Sequence, residues 1–162
     1  MSKTLYKTLA VYRGIEKSGN KVLINKLKTL ETSKNKHFIE EGNNGSYVLL
    51  FERNKTVTET DNMVDKGIPV GTRTVFDFSE EQKSILQNNN KGIPFSDGDQ
   101  VTHEMEHQYD DDQGKNADFE DNTATDPAEI RGVNNENIER NLEGEEERTT
   151  YGGKEINPNK LK

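Results

Sequence analysis

One helical stretch near the centre of the chain limits what the chain can fold into more than any other feature. Residues 101–112 include the pattern H-E-x-x-H, formed by His103, Glu104 and His107. On an α-helix, residues four apart lie about 40° apart around the axis, so the two imidazoles point to the same side. Glu104 follows His103 by one residue, so its carboxylate lies beside the two imidazoles and can reach a water molecule that they hold through a bound ion, without binding that ion itself. The pattern therefore predicts a helix at the edge of a cleft.

The opposite side of this helix is apolar enough to be buried. Val101, Met105 and Tyr109 share that side, and a helix with one apolar face packs that face against a core. The helix is therefore expected to bury this apolar side and to present both imidazoles to the cleft.

Two histidines at this spacing are typical of helices that bind Zn²⁺, with the glutamate between them acting as a general base. The chain contains three histidines, and two of them fall within the pattern. We therefore predict that His103 and His107 bind Zn²⁺ and that Glu104 is the catalytic base. The alternative interpretation is a solvated acidic helix with two incidental histidines.

Composition narrows the choice of ligands and partners. The 162 residues include no cysteine, which excludes disulfides and thiolate ligands and leaves His, Asp and Glu for a metal. The net charge is −8, so nucleic acid is not an expected partner, because phosphate groups would be repelled. No signal peptide and no membrane-spanning run is recognisable. We expect one soluble domain with no membrane partner. Its localisation stays unassigned, and secretion would need a dedicated export system.

The first sixty residues are predicted to form mainly strands and turns. The predicted strands are 5–12, 21–25, 37–39 and 46–51, with turns at 17–20 and 42–45. His37 is interpreted as a surface residue. Residues 56–65 are polar and acidic, which indicates a linker or an extended edge.

A strand and a short helix are predicted just before the H-E-x-x-H helix. Residues 72–78 favour the strand and residues 79–86 favour the helix, and Ser96 or Asp97 can cap the histidine-bearing helix. Because it precedes that helix, the strand at 72–78 is the predicted wall of a substrate groove.

A catalytic zinc site needs three protein ligands and one open position. No histidine follows His107, so the third ligand should be a carboxylate. Asp126 and Pro127 begin a second helix that is expected to run to about residue 142. Glu129 on this helix is the first choice of ligand, and Asp126 is the third choice. The alternative role of Glu129 is to complete a capping box with Asp126.

Two more acidic residues lie on the same helix faces as the candidate ligands. Glu136, seven residues after Glu129, is the second choice of ligand or a supporting carboxylate, and its alternative role is a surface ion pair with Arg140. Asp110 lies three residues past His107, where it can orient an imidazole or serve as a helix-end charge. The acidic stretch 110–121 does not fit a calcium loop, because its glycine arrives one position early.

At this point the chain resembles a known family. The segments 103–110, 129–133 and 148–152 resemble zinc metallopeptidase domains of bacterial effectors and Rhs-type polymorphic toxins, in which an R-T-x-Y segment follows the two helices. Arg148 and Tyr151 are also spaced like the R-x-x-Y pair of clostridial neurotoxin light chains. The resemblance implies that both side chains stabilise the oxyanion of peptide hydrolysis, for which a guanidinium and a phenol are suitable donors.

The predicted architecture is α+β and zincin-like, with a small antiparallel or mixed sheet packed on the H-E-x-x-H helix and the second, Glu-bearing helix. Residues 70–153 should form the metallopeptidase core and residues 154–162 a flexible tail. The predicted function is that of a zinc endopeptidase of toxin or effector type, with a polypeptide substrate; whether a neutralising immunity protein exists is left open. The alternative is a non-catalytic binding or interaction module with a structural or vestigial zinc site.

Overall fold

The computed structural model describes residues 2–118 and 122–162. These residues form six α-helices: α1 (Lys3–Ser18), α2 (Lys21–Thr32), α3 (Val57–Asp65), α4 (Glu80–Asn89), α5 (Asp97–Asp112) and α6 (Pro127–Glu143). They also form five strands: β1 (His37–Glu41), β2 (Tyr47–Phe51), β3 (Gly71–Phe76), β4 (Thr150–Tyr151) and β5 (Lys154–Glu155). The prediction of an α+β protein is confirmed. None of the helices in the described ranges is long and apolar enough to cross a membrane.

The first thirty residues form two helices, so the predicted strands at 5–12 and 21–25 are wrong. The side chain of Ser2 caps α1, and Gly19 ends it in the left-handed region with φ 74°. The side chain of Asn20 then accepts hydrogen bonds from two backbone N–H groups at the start of α2. The turn signal at 17–20 therefore ends one helix and begins another instead of joining two strands.

The apolar residues of these two helices explain why helices are stable there. Ile15, Leu23 and Leu27 are buried together against Met105 of α5. Leu23 and Leu27 are four residues apart, so a helix places both on one face. The short run at 21–25 carries only part of this spacing, and the helical period becomes visible only when Leu27 is included.

Residues 56–65, predicted to be a linker, contain helix α3. Thr56 and Glu59 form a capping box, in which each side chain accepts a hydrogen bond from the other residue's backbone N–H. Val64 on this helix is buried. The polar composition that indicated a linker belongs to a short amphipathic helix with one exposed face.

The main sheet is mixed and has the strand order β1-β3-β2. β1 pairs parallel to β3, with His37 opposite Thr72, and β2 pairs antiparallel to β3, with Tyr47 opposite Val75. β3 is therefore the central strand, with both backbone edges occupied. The predicted groove wall at 72–78 is wrong for this reason, because a central strand has no free edge for a peptide. β2 is an edge strand, and beyond its ladder with β3 it makes no backbone hydrogen bond within the described part of the chain.

Helix α5 packs its apolar back against the sheet and the N-terminal helices, as predicted. Val101 is fully buried with Phe76 and Phe78, and Met105 is fully buried in the cluster of α1 and α2. The ring of Tyr109, further along the same side, is half-buried. The opposite side of α5 lies along α6, and the candidate site forms between these two helices.

The last nine residues, predicted to be a flexible tail, are mostly exposed but contact the protein at Ile156 and Leu161. Ile156 is 1% exposed and lies in an apolar cluster with Ile130 and Val133 of α6. At the end of the chain, the backbone N–H of Lys162 donates to Oδ1 of Asn134 at 2.8 Å. The C-terminal segment therefore holds α6 from its outer side.

Candidate metal centre

Helix α5 presents both histidines of the pattern to the cleft. The helix begins at Ser96, which forms a capping box with Asp99, so the first of the two predicted caps is the one used. Nε2 of His103 and Nε2 of His107 lie 3.3 Å apart. Both imidazoles are buried.

Helix α6 contributes the carboxylate of Glu129. Its Oε2 lies 3.1 Å from Nε2 of His103 and 3.3 Å from Nε2 of His107. The side chain of Asp126 caps α6 by accepting from the backbone N–H of Ala128, and Pro127 is the first helical residue. The cap sets the start of the helix and thereby places Glu129 in its first turn, facing α5. These three side chains form a buried group that could hold a metal ion.

The spacing of the three ligand atoms fits a small tetrahedral ion. With ligand bonds of about 2.0–2.1 Å, two ligands of tetrahedral zinc lie about 3.3–3.4 Å apart. The three separations here are 3.1, 3.3 and 3.3 Å. Two imidazoles with one carboxylate are also a known ligand set of catalytic zinc.

Gly132 allows α6 to approach the metal-ligand group so closely. A Cβ atom at this position would lie 2.7 Å from Cε1 and 2.8 Å from Nε2 of His103. Real Cβ atoms do not approach other atoms that closely, so any side chain at 132 would displace the imidazole or the helix. Gly132 was not predicted as a site residue. Its position one turn after Glu129 on the same helix was the available signal.

The surroundings of the two imidazoles and of Glu129 stabilise positive charge at this position. Burial lowers the pKa of His103, but the adjacent carboxylates of Glu129 and Glu136 outweigh burial and raise it to about 10. Burial raises the pKa of Glu129, yet the two imidazoles more than compensate and hold it well below its usual range. In the absence of a metal, bound protons supply this positive charge, and a divalent cation can replace them.

Glu104 lies beside the group without belonging to it. Its side chain is buried and lines the same cleft as both histidines. Burial raises the pKa of Glu104, although the neighbouring histidines oppose that effect. A carboxylate with a raised pKa next to a metal position is suited to accept a proton near neutral pH.

Glu136 supports His103 from the side away from the cleft. Its Oε2 lies 3.3 Å from Nδ1 of His103 and accepts a hydrogen bond of 2.7 Å from Nη1 of Arg148. Its Oε1 accepts from Nε of Arg140 at 2.9 Å. The structure therefore places Glu136 behind the imidazole, where a carboxylate fixes the orientation of a ligating histidine. Arg140 is fully buried, so its pair with Glu136 is not at the surface.

Arg148 and Tyr151 lie next to His103 and Glu104. The ring of Tyr151 stacks on the imidazole of His103 with centroids 6.0 Å apart, and the guanidinium of Arg148 lies 5.0 Å from the Tyr151 ring. Nε and Nη1 of Arg148 are occupied by protein acceptors, whereas its Nη2 has no hydrogen bond to a described residue. Burial and the adjacent Glu129 raise the pKa of Tyr151, so its phenol stays protonated and can donate.

Two of the predicted site residues have other partners. Oδ2 of Asp110 accepts a hydrogen bond of 2.5 Å from Nε of Arg131, which also binds Asp118. Asp126, the third choice of ligand, accepts from the backbone N–H of Ala128 in the first turn of α6 and from the backbone N–H of Asn122 in the preceding loop. Asp110 thus ties α5 to α6, and Asp126 caps α6.

His37 is not the isolated surface residue that the sequence indicated. Its Nε2 lies 3.1 Å from Oδ1 of Asp112, and its Nδ1 lies 2.9 Å from Oγ1 of Thr72. The imidazole joins β1 and β3 to the end of α5, remote in sequence, which is why no local pattern revealed the contact.

The described acidic residues of the stretch 110–121 bind other side chains of the protein. Asp110 and Asp118 bind Arg131, and Asp111 accepts from Asn116. Residues 119–121 of this stretch lie outside the described residues. The described carboxylates Asp110, Asp111 and Asp118 therefore have protein partners.

A cleft of about 510 Å³ opens in front of the candidate metal position. One wall is β2 with the preceding Ser46, and the other walls are α3, the part of α5 that carries both histidines and the segment after it. The wall is thus β2 rather than the predicted strand at 72–78. A second cavity of about 200 Å³ shares His103, Glu104 and Tyr151 with the cleft and continues toward Arg148.

Comparisons with models of protein families, with curated proteins and with solved structures find no match for this chain. The interpretation of the site therefore depends on its own geometry.

Proposed function

We propose that the protein is a zinc-dependent endopeptidase with a zincin-like site, of the toxin or effector type that its motifs resemble. The observation that carries this proposal is the convergence of His103 Nε2, His107 Nε2 and Glu129 Oε2 within 3.1–3.3 Å of one another beside a cleft. Glu104 and Tyr151 line the same cleft. The group combines a metal-ligand set, a base and a donor around one open space.

The ligand set favours zinc over harder cations. Calcium and magnesium take six or more oxygen ligands, usually including several waters for magnesium, whereas imidazole nitrogens suit zinc and other transition metals. Structural zinc sites are normally closed by four protein ligands. Here three side chains converge within the described ranges, so one position is left for a reactant.

Zinc in such a site would polarise a peptide carbonyl and lower the pKa of a water molecule to about 7. Glu104 accepts the proton of the attacking water and can return it to the leaving amine. Its burial beside the histidines excludes bulk solvent and keeps the carboxylate next to the reacting atoms.

Arg148 and Tyr151 stabilise the negative charge that develops on the carbonyl oxygen. The unoccupied Nη2 of Arg148 and the protonated phenol of Tyr151 are the donors available at the shared end of the two cavities. One such donor is typically worth about 10²–10³ in kcat. Glu136 holds Nη1 of Arg148 and so orients the guanidinium.

A polypeptide substrate would lie along the outer edge of β2. This edge has no backbone partner among the described residues and runs along the cleft. An extended peptide can add to a free strand edge through main-chain hydrogen bonds. Such binding places a scissile peptide bond between β2 and α5.

The first test is the variant Glu104→Gln. We expect it to bind one zinc ion with unchanged stoichiometry, because Glu104 is not a ligand, and to lose peptide hydrolysis by a factor of at least about 10³. Zinc content is measured by atomic emission, and cleavage is followed by mass spectrometry of a peptide mixture.

The matched control is Glu81→Gln, which removes an equally charged, exposed side chain from α4 and should leave both zinc content and cleavage unchanged. Hydrolysis retained in Glu104→Gln would contradict the proposed base. A wild-type protein that binds zinc but cleaves no peptide would instead favour the non-catalytic module.

A further inference from the structure

We propose that the peptide segment bound beside α3 carries a lysine or arginine side chain, held by Asp61 and Asp65. This inference depends on the proposed function, since it names the substrate class of the same cleft. It concerns the half of the cleft between β2 and α3, away from Arg148.

The charged side chains that line the cleft are acidic, apart from the metal-binding histidines. Five carboxylates line it, and no lysine or arginine does within the described ranges: the acidic residues are Asp61, Asp65, Glu104, Asp111 and Glu129. Glu129 and Glu104 are committed to the metal and to catalysis. Asp61 and Asp65 remain available to a substrate, and Asp111, which binds Asn116 through Oδ1, keeps its Oδ2.

Asp61 and Asp65 have the geometry of a paired cation acceptor. They are four residues apart on α3 and therefore share one face of the helix. Both are exposed, and neither forms an ion pair or hydrogen bond with a described residue. The rest of the acidic surface near the site is different, because Asp110 and Asp118 are already neutralised by Arg131.

Asp111 adds a buried carboxylate to the same wall. It is 2% exposed, and its Oδ2 makes no hydrogen bond within the part of the chain that the structure describes. Burial raises the pKa of Asp111 to about 7, so a nearby cation would favour its ionised form. Asp111 thus lines the cleft as a buried carboxylate with one oxygen that binds no described residue, and this oxygen can accept from a cationic group there.

Apolar side chains are present for the stem of a long basic residue. Val64 of α3 lies between the two aspartates in sequence, and Val48 and Leu50 of β2 line the facing wall. Lysine and arginine bury their methylene stems on apolar surface while their charged heads stay at the polar rim. The β2 edge binds any peptide backbone in the same way, so preference among substrates must come from such side-chain contacts.

Binding is tested with two pools of fluorescein-labelled random dodecapeptides that are alike except that one contains lysine where the other contains norleucine. The binding protein is zinc-loaded Glu104→Gln, and fluorescence anisotropy gives the affinities at 0.05 M salt. We expect about fivefold tighter binding of the lysine pool, a preference that shrinks as salt screens the charges. Adding Asp61→Asn with Asp65→Asn should bring the two affinities to within about twofold.

The matched control combines Glu16→Gln with Glu81→Gln, which changes the net charge equally at exposed sites outside the cleft. It should keep the fivefold preference. Equal binding of the two pools, or the same loss of preference in the control, overturns the inference.

Cleavage separates this inference from the proposed function. Zinc-loaded wild-type protein is incubated with peptides produced from a proteome by a Glu-specific protease, and cleavage sites are read by mass spectrometry. Lysine and arginine should be enriched at one fixed position from the cleaved bond. Cleavage without that enrichment overturns the inference and leaves the peptidase standing. Lysine-dependent binding without any cleavage overturns the peptidase and leaves a cation-selective peptide site.

Discussion

Gly132 shows how a single hydrogen atom in place of a side chain can decide whether a metal site forms. The face of α6 that carries Glu129 must lie against the imidazole of His103, and Gly132 is the point of closest approach. A larger residue would separate the carboxylate from the imidazoles by a fraction of an ångström or more. Metal geometry tolerates deviations of only about 0.2 Å in ligand distance.

The variant Gly132→Ala should therefore weaken zinc binding by about tenfold to a hundredfold, since it shifts the orientation of a ligand. The added methyl group should also cost about 1–3 kcal/mol of unfolding free energy in the zinc-free protein, as overpacking does. Competition with a chromophoric chelator gives the zinc affinity, and urea denaturation gives the stability.

Gly14→Ala is the control for this substitution. A Cβ at Gly14 of α1 meets no atom within 4 Å, and alanine favours a helix by about 0.5–1 kcal/mol over glycine. We expect a small gain in stability and unchanged zinc affinity. Unchanged zinc binding in Gly132→Ala would show that α6 can move without disturbing the ligands.

At the scale of elements, the start of α6 determines where the third ligand lies. Glu129 is the third residue of that helix, so its position depends on the cap formed by Asp126 and on Pro127. The other end of α6 is held by Arg140, which pairs with Asp99 of α5 and with Glu136. These contacts fix α6 against α5 at both ends of the site.

Removing the cap with Asp126→Ala should cost about 1 kcal/mol of unfolding free energy, because the backbone N–H of Ala128 loses its acceptor. Zinc affinity should fall by a few fold, since the first turn that carries Glu129 becomes less well ordered. Asp126→Asn keeps an oxygen acceptor at a favourable capping position and should restore most of both quantities. If Asn fails to restore zinc binding, Asp126 acts through its charge instead of its cap.

At the scale of the whole molecule, the metal position couples folding to pH. The pKa of His103 is about 10 in the folded, metal-free protein against an ordinary value of 6.5. A pKa raised by folding contributes stability that is full below about pH 6.5 and is lost as the pH rises toward 10. If the proposed zinc site forms, zinc must displace that proton, so metal binding and protonation of His103 would compete.

We therefore expect the metal-free protein to lose stability between pH 6.5 and 9, while the stabilisation by a fixed free zinc concentration grows over the same range. At a free zinc concentration one hundred times the Kd, the gain is about 2.7 kcal/mol. Thermal unfolding in chelator-buffered zinc measures both trends. His103→Asn should remove the zinc effect and reduce the pH dependence, of which the raised pKa values of Asp99 and Asp111 keep a part. A zinc effect that weakens as pH rises would refute the competition.

Local signals predicted the helices that carry the site. The H-E-x-x-H spacing with an apolar back predicted α5, and Asp126-Pro127 with Gly144 predicted both ends of α6. Strands β1 and β2 and most of β3 were also predicted, since their apolar runs are short and bounded by turns. Local prediction failed for α1, α2 and α3. The few apolar residues of α1 and α2, separated by a Gly-Asn turn, were interpreted as two strands, and the polar sequence of α3 was interpreted as a linker or an extended edge.

The sequence by itself determined which chemistry the chain can support: two imidazoles one helical turn apart, a carboxylate beside them and no thiol to compete for a metal. It ranked Glu129, Glu136 and Asp126 in that order as the third ligand, and each also had an ordinary role in a capped helix. Only the tertiary structure brings Glu129 next to both imidazoles, since the separation of Glu129 from His103 depends on how α6 packs on α5 at Gly132. The same packing placed β2 at the cleft and β3 at the centre of the sheet, because strand order is set by contacts between residues far apart in the chain.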